Sequence, residues 1–112
     1  MRVLVAGSKF WTDGQTLMAA LADVWEPDAA LVTGACPEGA EDLAARCWRR
    51  WGGRVERWEF DWDQPAGTVV ESRHRRMLEA GADVCLTFGS LTGPRSLEAM
   101  SRAAGVPTYG WT

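Results

Sequence analysis

The sequence predicts a doubly wound α/β domain, a parallel sheet covered by helices on both faces. Three observations carry that prediction. Short apolar runs alternate with longer stretches whose apolar residues recur at helical spacing, the pattern of strands buried on both faces and joined by crossover helices. Three of those runs end at a glycine: Gly7, Gly34 and Gly89. At 112 residues and 46% hydrophobic composition, the chain suits one domain with a substantial core.

The elements follow in order. Arg2 to Ala6 is an apolar strand ending at Gly7-Ser8. Thr12 to Gln15 has the form of a capping box, and Leu17, Met18, Leu21, Ala22 and Trp25 continue a helix that Pro27-Asp28 closes. Ala29 to Thr33 is the second strand, ending at Gly34. Pro37 suits the first turn of a helix, where Ala40, Leu43, Ala44, Cys47, Trp48 and Trp51 form an apolar stripe up to Gly52-Gly53. Arg54 to Phe60 is a third strand, toward an edge, and Asp61 to Gly67 a loop.

A third helix runs through Arg73 to Leu78. Asp83 to Phe88 is a buried strand, and Gly89 to Gly93 another glycine-bearing loop. Pro94 starts a last helix with Leu97, Met100 and Ala104 inward, and Val106 to Tyr109 is a short final strand. About five parallel strands and four helices make a compact Rossmann-like domain spanning residues 1–112. Such sheets bind ligands beyond the carboxyl ends of their strands.

Composition removes several function classes. Residues 1–7 read as a strand rather than a leader, and nothing approaches the ~20 apolar residues of a membrane span. Cys47 lies on a helix stripe and Cys85 in a buried strand, so three widely spaced cysteines point to a reduced, cytoplasmic protein. His74 is the sole histidine, and no Cys/His cluster has metal-ligand spacing; neither a metal nor a cofactor is expected. A net charge of −3 opposes a protein that coats nucleic acid through a basic face. Seven tryptophans, Trp48, Trp51, Trp58 and Trp62 among them, present more apolar surface than a fold of this size hides easily, so a homodimer or larger homo-oligomer is expected.

Arg73 is the pivotal residue. At about 100° per residue it falls among Val69, Val70 and Met77 on the flank of the core stripe. Arg75 takes the opposite side, with Glu71 and Glu79 four residues away as a solvated salt-bridge face. A guanidinium stays charged, and burying it without a partner is costly, so something anionic should meet Arg73. The three glycine turns each precede a helix whose first N–H groups hold anions well. With Lys9 nearby, a phosphate-bearing ligand is the leading expectation.

Gly7-Ser8-Lys9-Phe10-Trp11-Thr12-Asp13, Gly39-Ala40-Glu41-Asp42-Leu43-Ala44, Asp61-Trp62, Ala66-Gly67 and Arg73-His74-Arg75-Arg76-Met77 with Ala80-Gly81-Ala82-Asp83 resemble the YspA/YpsA-related SLOG proteins over nearly the whole chain. That resemblance implies a Rossmann-like binder of nucleotides or their derivatives, related to the Lonely Guy phosphoribohydrolases, to DNA-processing protein A, and to sensors of nucleotide signals in bacterial and phage conflict systems. It implies that Gly7, Ser8 and Lys9 form a phosphate or ribose loop, with Lys9 where arginine is usual. Gly34 and Gly39 belong to a second loop, with Glu41 where aspartate is usual. Arg73 matches the family arginine, and His74 stands where asparagine is usual.

The hydrolase relatives resemble Pro-Gly-Gly-x-Gly-Thr followed by acidic residues. Here Gly89, Ser90 and Gly93 keep the loop, but aligning on Gly93 puts Ser96 and Leu97 at the carboxylate positions and displaces Glu98. Cleaving an N-glycosidic bond passes through an oxocarbenium-like state that a carboxylate stabilises. The altered loop therefore favours binding over cleavage.

Glu41 either touches a ribose hydroxyl or simply complements its helix dipole; with Arg73 it is the catalytic candidate if the protein is a hydrolase. His74 is a ligand contact or a satisfied half-buried histidine. Trp11 stacks on a base or covers a hydrophobic seam, and Arg76 reaches the same anion as Arg73 or lines the surface. Ser8 has no nucleophile arrangement around it. Three readings remain: a nucleotide-binding sensor or sequestering module, a phosphoribohydrolase acting on nucleoside monophosphates, and, weakest, a single-stranded nucleic-acid binder.

Overall fold

A computed structural model describes residues 1–89 and 93–112. Its order is β1 (Arg2–Gly7), α1 (Gly14–Val24), β2 (Ala30–Gly34), α2 (Ala40–Arg50), β3 (Arg54–Trp58), α3 (Val69–Glu79), β4 (Val84–Phe88), α4 (Leu97–Ala103) and β5 (Thr108–Trp111). The strands form one all-parallel sheet in the order β3-β2-β1-β4-β5. The fold is the expected α/β, Rossmann-like one.

Strand alternation divides the core. Val3, Val5, Leu31, Leu86 and Phe88 face α1 and α2, meeting Leu17, Leu21, Ala44 and Trp48. Leu4, Ala6, Val32 and Cys85 face the other way, onto Met77 of α3 and Leu97 of α4. The central strands β2 and β4 are buried throughout, as their apolar sequences require, whereas β3 and β5 are half-exposed edges. Because α1 and α2 lie on one face and α3 and α4 on the other, the chain leaves β1 and β4 in opposite directions, which opens a crevice at their carboxyl ends.

Several local expectations are corrected. The cap of α1 is Asp13, not Thr12: its carboxylate accepts the Thr16 N–H at 3.0 Å and the Thr16 hydroxyl at 2.6 Å. Helix α2 starts at Ala40, past Pro37, because Gly39 (φ 77°) makes the turn against the Ser8–Lys9 backbone. Helix α4 starts at Leu97, past Pro94, where the Ser96 hydroxyl accepts the Ala99 N–H at 3.1 Å. Strand β3 stops at Trp58, short of Phe60, and β5 is shifted to Thr108–Trp111. Met18 and Val70, placed on core stripes, are 44% and 50% exposed, and Ala104 is exposed too.

The tryptophans range from a packed cluster around Trp48 to the exposed Trp62. Trp48 is fully buried, donates its indole N–H to the Ala29 carbonyl at 3.3 Å, and meets Trp25 edge-on at 4.8 Å. Trp51 joins the same cluster through Trp25 at 5.6 Å.

Candidate functional site

The site is built over the end of β2. Glu41, in the first turn of α2, folds back so that its Oε1 accepts the Gly34 N–H at 2.6 Å. Arg73 reaches the same point from α3 on the opposite face. A β-carbon at Gly34 would lie 2.5 Å from Glu41 Oε1 and 2.6 Å from Arg73 Nη1, so a side chain here would push the two groups apart.

Burial pushes the Glu41 carboxyl above the usual carboxylate range, against the opposing pull of Arg73 and the Gly34 N–H. Burial also lowers the Arg73 guanidinium, with Glu41 its strongest compensating charge. One face of that guanidinium is covered by Phe60, whose ring centroid is 4.1 Å from Cζ. Arg73 is 8% exposed, and its Nε is buried with no hydrogen-bond partner among the described residues. Such an orphaned donor costs free energy.

His74 follows on α3 and turns toward α4. Its Nδ1 lies 3.0 Å from the Arg95 carbonyl oxygen. Burial holds its pKa below the ordinary value, so the neutral ring donates from Nδ1 and leaves Nε2 as an acceptor. It is buried rather than half-buried. Glu41, Arg73 and His74 together line a cavity of about 120 Å³, floored by Ala6, Gly7 and Met77 and closed by Ser96 and Leu97.

The structure therefore brings Gly7, Gly34, Glu41, Arg73 and His74 together. Gly7 itself is packed against the Phe88 carbonyl and Ala40. Ser8 organises the neighbouring loop: its N–H donates to Phe88 O at 2.8 Å, its carbonyl accepts Ala40 N–H at 3.1 Å, and its Oγ accepts Phe10 N–H at 3.0 Å. Gly39 and Gly89 (φ 102°) pack against that loop.

Lys9 and Trp11 do not line the cavity. Lys9 is exposed, with Nζ 5.1 Å from the Phe10 centroid. Trp11 packs on Phe88 at 5.6 Å and donates its indole N–H to the Asp13 carbonyl at 3.0 Å, covering the seam. Gly93 (φ 91°) receives the Ser96 hydroxyl on its carbonyl at 2.9 Å. Ser90, with residues 91 and 92, lies outside the described residues.

The helix termini are less open than the glycine turns imply. Asp13 caps α1 and Ser96 caps α4, while α2 has no side-chain cap and carries Glu41 and Asp42 in its first turn. Arg76 takes a different course from Arg73, donating to the Glu59 carbonyl at 3.4 Å beside Trp58. Glu98 turns away to an ion pair with Arg102 at 2.8 Å, so the carboxylate displaced in sequence is displaced in space. Among the described residues, no three His, Cys, Asp or Glu side chains converge as metal ligands would. No helix among them is long and apolar enough to cross a membrane.

Two contributors escaped the sequence reading. Phe60, assigned to a strand end, covers Arg73. Arg57 donates to the Cys36 carbonyl at 2.6 Å and pins the loop between β2 and α2. Only the alternation of Arg57 along an edge strand could have hinted at the second.

Residues 1–64 match the model of the YspA, cpYpsA-related SLOG family. The chain is also similar to the Gene 61 protein of Mycobacterium phage D29, at 36% identity over 121 aligned residues, covering 98% of this chain and 95% of that protein. The family match holds Gly7, Gly34, Gly39 and Glu41; the phage similarity extends across α3 as well.

Proposed function

Because the chain belongs to the YspA, cpYpsA-related SLOG family, we propose that it binds a nucleotide or nucleotide-derived ribose phosphate at the carboxyl ends of its strands, as a sensor or sequestering module. One observation carries this reading: Arg73 is held beside a small cavity with its Nε unpartnered among the described residues, on the edge where parallel α/β sheets take ligands. The Arg73 fork suits a phosphate or ribose oxygen, while Glu41 accepts a hydroxyl. Thermal shift with ADP-ribose and nucleoside monophosphates tests it. A rise in Tm that Arg73→Ala abolishes is expected; identical shifts in both proteins would refute the anion site.

A second reading, a phosphoribohydrolase acting on nucleoside monophosphates, draws on Glu41, a buried carboxyl of raised pKa facing the same cavity. Base release that Glu41→Gln abolishes would establish it over simple binding. We also propose a cytoplasmic homo-oligomer, supported by apolar surface at Met18 and in the groove between Ala22, Trp25 and Trp51. Sedimentation equilibrium tests that part, and a monomer at every concentration would remove it.

A further inference from the structure

Among the described residues, the two most exposed large apolar side chains stand on the edge that carries the site. Phe10, after β1, is 78% exposed, and Trp62, after β3, is 77% exposed. Val70, half exposed, opens α3 on that edge. Of the three, Trp62 is the one whose contacts lead to the site. Its ring meets Phe60 edge-on with centroids 5.3 Å apart, and Phe60 carries the Arg73 guanidinium on its face at 4.1 Å. Two aromatic rings thus lead from open solvent to a buried cation. Trp11 has no comparable freedom, being engaged by Phe88 and the Asp13 carbonyl.

We propose that Trp62 is the platform on which the base of a single nucleotide stacks while the phosphate meets Arg73; this rests on the nucleotide reading above. Size supports it. Pockets that enclose whole small molecules run to roughly 300–1,000 Å³, whereas this cavity holds about 120 Å³. It accommodates a phosphate or part of a ribose, and the base must lie outside, on the rim. Separations of 4.1 and 5.3 Å along the Arg73–Phe60–Trp62 chain keep cation and indole within the span of one nucleotide. One guanidinium beside a carboxylate, in a chain of net charge −3, suits a mononucleotide rather than a polymer. Every base has a π face, so the platform tolerates different bases.

Calorimetric titration of the whole chain with AMP, CMP and ribose 5-phosphate tests the proposal. The wild-type protein is expected to bind AMP at least about tenfold more tightly than ribose 5-phosphate, the scale of one stacking contact. Trp62→Ala should erase that difference, leaving ribose 5-phosphate affinity and Tm unchanged, and Trp62→Phe should restore most of it. If AMP affinity falls with Arg73→Ala but not with Trp62→Ala, the platform is wrong and the nucleotide reading stands. If the wild-type chain binds none of the three ligands, the platform falls, and the nucleotide reading falls with it when ADP-ribose also gives no thermal shift. A Trp62→Ala protein that keeps AMP affinity but loses oligomeric mass would make Trp62 a protein contact instead.

Discussion

Glu41 and Arg73 converge beyond the end of β2, each with an atom within 2.6 Å of the point where a Gly34 β-carbon would sit. Their helices pack on opposite faces of the sheet, so the strand end is the place where the two side chains can share space.

Gly34→Ala should therefore separate stability from function. The atoms it displaces are the ends of two flexible side chains, so urea unfolding is expected to show a cost of only about 1–3 kcal/mol, while any nucleotide-induced Tm shift disappears. Gly39→Ala should behave differently, since it forces φ 77° on alanine and drives a methyl into the Ser8–Lys9 backbone. A Gly34→Ala protein that responds to ligand normally would show that the Glu41–Arg73 convergence is not needed for binding.

Removing both charges should stabilise the fold. Replacing buried charged groups with neutral and apolar ones is often neutral or favourable by roughly 1–4 kcal/mol, and Arg73 Nε has no partner to lose among the described residues. The double variant Glu41→Gln/Arg73→Met is expected to unfold at higher urea while losing ligand response. Lower stability would mean the pair holds the native state together.

Glu41 predicts a pH signature. Its folded pKa is raised above the ordinary 4.5, chiefly by burial, so the unfolded chain releases this proton first. Its contribution to stability is fully present below that pH and is lost as pH rises through the folded value. The stability of Glu41→Gln relative to wild type should grow from pH 4 to neutrality; a flat difference would contradict the burial.

His74 gives the opposite slope. Its folded pKa is depressed below 6.5, chiefly by burial, so stability is fully present above 6.5 and declines as pH falls toward the folded value. His74→Gln should remove that decline, read as Tm against pH from 8 to 5. A wild-type slope unchanged by the substitution would show that His74 protonates without penalty.

Much of this is legible in the chain. The stripe containing Met77 marks Arg73 as inward, and burial bears it out. Arg75 falls on the solvated face and pairs with Glu71 at 3.0 Å. The caps are less legible, because Thr12 and Asp13 are both good capping residues and only backbone geometry chooses between them. Trp11 and Trp62 are equally ambiguous: each is an aromatic on a loop, and exposure is a property of what packs nearby.

The sequence by itself determined the alternation of strand and helix, the glycines at the strand ends, and an arginine turned toward the core. Those are local matters of periodicity and side-chain type. Tertiary structure decided what Arg73 faces. Gly34 and Glu41 come from the β2–α2 connection and its first helical turn, Phe60 from the β3–α3 connection, and His74 from α3 itself. They converge only because a parallel sheet brings all its strand ends, and the first turns of its helices, to one edge.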